Sequence, residues 1–266
     1  MFKNASSWLS DNRMNIGIIG IGNMGRAFSV ALSRGGQDRI IIYDRGSELR
    51  RVWKKNVVRA SSVEDLAKSS EIIFIAVRPA DVDDLLERLK NHVAGKTIVS
   101  VVALYPFEKL RQNLQGAKIC KIMTSVASET GKAPVLAYCE KDDFQSLKDI
   151  LSRFGVPFLV DEKTLDMLVP IVGSGPALLA YFLDSLSEYM VLAGVERDLA
   201  DKIANLTAYS TSYYLLKRNI TYYDLSKKVT TPSGITIKIL HEFNKRTIKG
   251  NIVDAIHTRI SEAIKK

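Results

Sequence analysis

Apolar and polar positions follow two rhythms along the 266-residue chain, and the change falls near position 161. Before it, short apolar runs alternate with amphipathic stretches of helical period, the order that builds a parallel sheet covered by helices on both faces. Ile16-Gly17-Ile18-Ile19, Ile40-Ile41-Ile42-Tyr43 and Ile72-Ile73-Phe74-Ile75-Ala76-Val77 predict strands, the last apolar throughout and therefore central. Arg78-Pro79 ends that run, and the proline turns the chain across the carboxyl edge of the sheet, where ligands of such sheets lie. Further strands are expected at 57–59, 97–102, 118–123, 134–138 and 156–160. Helices are expected at 24–34, around 48–55, from Ser62-Val63-Glu64-Asp65 onward, and at 82–89 and 107–114. Phe144, Leu147, Leu151 and Phe154 recur at helical spacing and belong to the core. After Asp161, Leu199, Ile203, Leu206, Tyr213 and Leu216 form a helical stripe with no strand-like alternation, so the second half is helical.

One stretch of the helical half stands apart, because 167–183 holds seventeen residues without a charge, close to the length that spans a bilayer. Gly173-Ser174-Gly175-Pro176 lies at its centre and is expected to interrupt the helical hydrogen bonding that hydrocarbon demands. The segment therefore reads as a buried interface element, part of it meeting another subunit, and no membrane is expected.

Composition changes this picture little. Hydrophobic residues make up 46% and charged residues 25%, ordinary for a globular protein. The formal charge of +9 comes from lysines and arginines scattered along the chain, which favours a solvated surface over a nucleic-acid arm and leaves a field attractive to small anions. Cys120 and Cys139 sit in strand-like stretches and form no disulfide framework, and His92, His241 and His257 share no metal-ligand spacing with them. No metal and a reducing, cytoplasmic setting follow as expectations. The first thirteen residues lack the continuous apolar core of a secretory signal, and either Met1 or Met14 could be the functional start.

The most informative motif closes the first strand. Gly20-Ile21-Gly22-Asn23-Met24-Gly25 spaces three glycines for a tight turn, for close approach of backbone to a pyrophosphate, and for packing of the next helix on the sheet. The N–H groups that open that helix would face the phosphates. Asp44, about twenty residues on at the end of the second strand, can accept hydrogen bonds from the adenosine ribose. Arg45 follows it, and with Arg50 or Arg51 would suit the extra phosphate of NADP, so NADP(H) and NAD(H) both stay open. The fold expected is α/β: an N-terminal extension over 1–13, a Rossmann-type dinucleotide-binding domain over 14–160, and a helical substrate-binding and oligomerisation domain over 161–266.

Two further clusters, Gly173-Ser174-Gly175-Pro176 and Val229-Thr230-Thr231-Pro232-Ser233-Gly234-Ile235-Thr236, offer hydroxyls and backbone donors without charge. A turn of small residues leading into a helix would suit a substrate carboxylate, although two capped helix starts explain the same pattern. Together with the glycine turn and Ala76-Val77-Arg78-Pro79, these motifs, in this order, resemble the pyrroline-5-carboxylate reductase family from about Met14 to the C-terminus. The resemblance implies reduction of a cyclic imine to L-proline by hydride transfer from NAD(P)H. It implies that Gly20, Gly22, Asn23, Met24, Gly25, Asp44, Arg45, Ser62 and Ala76, Val77, Arg78 and Pro79 hold the cofactor. Ser174, Gly175, Thr231, Ser233 and Gly234 would bind the substrate carboxylate, and Thr236 aligns with the family's substrate-contacting threonine. A homodimer, or a larger homo-oligomer built from dimers, is implied as well.

Several positions depart from the family's pattern. Thr124-Ser125-Val126-Ala127-Ser128 stands where members carry Pro-Asn-Thr-Pro-Ala, Ser233 where they carry glycine, and Ser62 where asparagine is frequent. Two other readings share the cofactor domain. A β-hydroxyacid dehydrogenase, or a related imine reductase, is one, but the former needs a positioned acid or base and 164–196 contains no lysine, arginine or histidine. The other is a regulator that binds NAD(P) without turnover.

Overall fold

The computed structural model describes residues 13–34, 38–46 and 56–264. Residues 1–12 of the N-terminal extension, the helix expected around 48–55, and Arg50 and Arg51 lie outside the described residues. A first compact unit runs to Pro176 and a second from Ala177.

The first unit opens with β1 (Asn15–Ile19), α1 (Asn23–Ser33), β2 (Arg39–Tyr43), β3 (Val57–Arg59), α2 (Val63–Ser69) and β4 (Ile72–Ile75). A single 3₁₀ turn at Pro79–Asp81 leads into α3 (Val82–Leu89), followed by β5 (Thr97–Ser100), α4 (Phe107–Asn113) and β6 (Lys118–Met123). A second 3₁₀ segment, Val126–Thr130, precedes β7 (Ala133–Tyr138), α5 (Lys141–Ser152) and β8 (Gly155–Leu159). The eight strands form one sheet in the order β3-β2-β1-β4-β5-β6-β7-β8. Its order reverses between β1 and β4, which opens a crevice beyond their carboxyl ends.

One expectation is corrected here, because the sheet is not wholly parallel: β7 runs antiparallel to β6, with Lys121 opposite Tyr138 and Met123 opposite Leu136. Residues 124–132 between them are too few for the crossover that a parallel neighbour requires. The sheet buries both faces. On one, Phe28, Phe74 and Phe154 meet with ring centroids 4.7–5.6 Å apart, and Phe144, Leu147 and Leu151 of α5 join them. Leu66 of α2, Leu85, Leu86 and Leu89 of α3 and Leu110 of α4 cover the other.

A second correction concerns α6 (Glu162–Leu192), which passes through Gly173-Ser174-Gly175-Pro176 without a break. Pro176 withholds one N–H from the carbonyl four residues earlier, and Gly173 and Gly175 beside it leave the backbone free of Cβ crowding. A missing donor thus bends the ladder at most, and the long apolar helix carries on. By length and composition α6 could cross a membrane. Leu165 on its first turn is buried, but further along Leu178, Leu179 and Phe182 are about half exposed in the single chain.

The second unit continues with α7 (Arg197–Arg218), α8 (Tyr222–Val229), α9 (Ile235–Lys245) and α10 (Ile248–Ile264). Thr221 caps α8 through a reciprocal capping box with Asp224. The expected stripe on α7 is present, yet Leu199, Ile203, Leu206, Tyr213 and Leu216 all face solvent in the single chain.

Candidate active site

Sterics dictate each glycine of the first turn. Gly20 has φ +89°, and a Cβ there would meet the Ala76 carbonyl at 2.6 Å, so the end of β1 lies against the end of β4. At Gly25 a Cβ would fall 1.8 Å from the Gly20 carbonyl oxygen, which fixes how closely α1 enters beneath the turn. Gly22, the N-cap of α1, has nothing within 4 Å of a would-be Cβ and makes no side-chain cap. Open space in front of uncapped N–H groups is the surrounding a pyrophosphate needs.

Asp44 organises the wall beside it. Its Oδ2 accepts from the Ile21 N–H at 2.7 Å and its Oδ1 from the Gly46 N–H at 2.8 Å, so the carboxylate ties the end of β2 to the glycine turn. Each oxygen keeps a lone pair for a ribose hydroxyl. A cavity of about 320 Å³ extends from this point. Of the residues the sequence proposes for the cofactor, Gly20, Gly22, Asp44, Arg45, Ala76, Val77 and Arg78 line it, and Ile19, Tyr43, Val63, Asp81, Leu85 and Arg88 complete it. Apolar Val63, Val77 and Leu85 supply a slot for a flat base, and charge gathers around Arg45, Arg78 and Asp81.

Asn23, Met24, Gly25, Ser62 and Pro79 are not among the residues that line the cavity. Ser62 caps α2 by accepting from the Asp65 N–H at 3.0 Å, and the next residue, Val63, is the one that reaches the cavity. Leu85 and Arg88 left no trace in the sequence, because their place depends on how α3 packs, whereas Tyr43 closes the predicted strand β2 beside Asp44. Asp81, three residues after Arg78, could have been read as an ion-pair partner.

Glu64 and Arg88 brace that packing through two parallel bonds of 2.8 and 3.0 Å, with the guanidinium 5.8 Å from the centre of the Tyr43 ring. Hydrogen bonding from Arg88, helped by the backbone N–H at Glu64, holds the Glu64 carboxyl down at about 2. A depressed carboxyl contributes stability that is fully present above its ordinary value and is lost as pH falls through its folded value. Thermal unfolding at a series of pH values should therefore show Arg88→Ala converging on the unsubstituted protein between about pH 4.5 and 2. A gap that stays constant over that window would exclude the ion pair as its cause.

The loop after β6 is built into the fold. Thr124 Oγ1 donates to the Pro134 carbonyl at 2.9 Å, Ser125 precedes the 3₁₀ segment, and Thr124, Ser125 and Ser128 are buried. Below it, Lys121 is wholly buried on β6, with its ammonium 2.8 Å from Asp166 and 3.5 Å from Glu162, both on the first turns of α6. Glu162 also accepts from the Phe107 N–H at the start of α4.

The remaining candidates stand outside the cavity lining. Ser174 and Gly175 lie within α6 rather than at a helix start, which corrects the turn expected there. Thr231, Ser233 and Gly234 do form a turn into a helix, with the Gly234 N–H donating to the Thr231 carbonyl at 3.0 Å and Gly234 as N-cap of α9. Ser233 holds φ +61°, a left-handed conformation natural to glycine, so the serine takes up strain at that position. Thr236 is the second residue of α9 and is half-buried.

Comparison with known proteins places both halves of the chain. Residues 15–104 match the family described as NADP oxidoreductase coenzyme F420-dependent, and residues 162–265 match that described as pyrroline-5-carboxylate reductase dimerisation. The pyrroline-5-carboxylate reductase of Aquifex aeolicus is 30% identical over 261 residues, covering 95% of this chain and 97% of that protein. That of Methanosarcina acetivorans is 26% identical over 94% of this chain and 97% of its own length. Among solved structures, the fold is shared with Plasmodium falciparum pyrroline carboxylate reductase with NADP bound, at TM-score 0.84 and 23% identity over 95% of this chain and 97% of that one. With this likeness extending from end to end, the chain belongs to the pyrroline-5-carboxylate reductase family.

Proposed function

We propose that this protein reduces the cyclic imine pyrroline-5-carboxylate to L-proline with NADP(H), the last step of proline biosynthesis. The observation that carries the reading is that the likeness spans cofactor half and helical half together, over 95% of the chain, while the glycine turn keeps the open cradle a dinucleotide requires. Bound reduced nicotinamide supplies the hydride that the imine carbon accepts.

The chain's own residues bind and orient. Gly20, Gly22 and Gly25, with the N–H groups of Asn23 and Met24, receive the pyrophosphate, and Asp44 accepts from the adenosine ribose. Ala76 to Pro79 border the cofactor opposite the glycine turn, with Ser62 fixing the start of α2. Substrate roles are assigned residue by residue from the resemblance: Ser174, Gly175, Thr231, Ser233 and Gly234 for the carboxylate, and Thr236 as hydrogen-bond partner of the ring nitrogen. An imine that arrives protonated carries its proton into the product amine, so no strong general acid has to be stored. The apolar faces of α6 and α7 are covered by a second copy rather than by lipid, in a homodimer or an assembly built from dimers. The match of 162–265 to the dimerisation family supports that arrangement.

Following NADPH absorbance with purified protein, with and without the imine and with NADH in parallel, tests the reading. Imine-dependent oxidation that yields proline is expected, and its absence from protein that binds NADPH would overturn the reductase assignment. Thr236→Ala is expected to lower kcat about tenfold, the value of one hydrogen bond to a charged group. Unchanged turnover in a folded variant would remove Thr236 from the mechanism.

A further inference from the structure

At the exposed rim of the dinucleotide cavity, two arginines share one carboxylate. Arg45, after β2, donates from Nη1 to Asp81 Oδ1 at 3.0 Å, and Arg78, after β4, donates from Nε to Asp81 Oδ2 at 3.0 Å. β2 and β4 lie on opposite sides of β1, so the bridge spans the crevice where the strand order reverses. All three side chains line the cavity together with Asp44.

Exposed ion pairs add little to folding, and these arginines are 58% and 85% exposed, so stability does not account for the arrangement. What the bridge does is fix direction. Each guanidinium spends one of its five N–H donors on Asp81, and two positive charges against one negative leave the trio attractive to an anion. Asp44 stands where the adenosine ribose hydroxyls bind, and a phosphate on the 2′-hydroxyl would lie beside that carboxylate and need a cation at hand. Arg45 is the next residue.

The geometry points to Asp81 as a positioning residue that holds Arg45 and Arg78 as a paired receptor for the 2′-phosphate of the cofactor. This rests on reading the cavity as an NADP site. Without the carboxylate, two long side chains regain their rotamer freedom in water, and the phosphate must order them itself. Simple competition between Asp81 and the phosphate would have the opposite sign, since removing the acid would then tighten binding.

Calorimetric titration of the full-length protein with 2′,5′-ADP and with 5′-AMP, fragments that differ by the 2′-phosphate, separates the two. In Asp81→Asn, affinity for 2′,5′-ADP relative to 5′-AMP is expected to fall about tenfold, the scale of re-ordering an arginine side chain. Arg78→Gln should shift the ratio in the same direction, and in an Arg45→Ala, Arg78→Gln background Asp81→Asn should change it no further. An unchanged or increased ratio in Asp81→Asn, or a full effect of Asp81→Asn in the absence of both arginines, overturns the assignment. Neither fragment is turned over, so a failure of the imine reductase reading would leave this result standing and distinguishable.

Discussion

Gly25→Ala should both destabilise the first unit and abolish useful dinucleotide binding, while Gly22→Ala should damage binding alone. At position 25 the added methyl would lie 1.8 Å from the Gly20 carbonyl oxygen, and neither partner is a flexible side-chain end. Relief requires α1 to move away from the turn that ends β1, against the packing of Phe28 and Leu32 in the core. Overpacking of this kind costs about 3 kcal/mol or more, and the displaced helix start carries the N–H groups proposed to receive the pyrophosphate. At position 22 the methyl meets nothing, so the fold is kept and only the space for the phosphates is filled. Fluorescence titration with NADPH should show affinity reduced about a hundredfold or more in both variants, a loss near 2.7 kcal/mol. Denaturation should show only Gly25→Ala unfolding early. Wild-type affinity in Gly25→Ala would mean that the pyrophosphate does not sit at this turn.

The second large effect is expected at Lys121. Its side chain is 1% exposed, whereas the carboxylates of Glu162 and Asp166 that surround its ammonium are 34% and 36% exposed. The two ends of this cluster therefore respond differently to loss of a partner. Asp166→Ala leaves a buried ammonium facing only the more distant Glu162, and breaking a buried pair in this way costs about 3 kcal/mol or more. Lys121→Met removes the charge but keeps much of the volume, and the two acids stay partly hydrated, so a loss of about 1 kcal/mol is expected. Combining the two should give a protein more stable than Asp166→Ala alone. Hydrogen exchange at the β6 and β7 amides measures this in the unit concerned. Equal losses in the two single variants would show that Lys121 contributes packing and not charge.

These two predictions also mark where sequence is a sufficient guide. The glycine turn, the strand end at Asp44 and the apolar strands were legible because their signals are local: fixed spacing around one tight turn, and runs buried on both faces. Ser62 was legible as a helix cap for the same reason. The direction of β7 was not, since it depends on the length of chain available between two strands rather than on the residues within them. Nor was the continuity of α6, because Gly-Ser-Gly-Pro carries a turn signal that a long helix can absorb by leaving one carbonyl without its donor. Leu85 and Arg88 reach the cavity only through the docking of α3, and Lys121 reads as an ordinary strand lysine until α6 brings two acids to it. The candidate substrate residues were found by motif alone, and their local geometry differs between the helix interior at Ser174 and the strained turn at Ser233.

Among its described side chains, the second unit buries only Ser187, Ala200 and Ala204. Helices with so little interior of their own borrow it from whatever covers them, so completing the fold becomes a reaction between molecules with a concentration threshold. With another copy as the cover, inheritance would follow from packing. A cell making intact and defective versions side by side would combine them in shared assemblies, and the harm done by the defective version would exceed its share of the total.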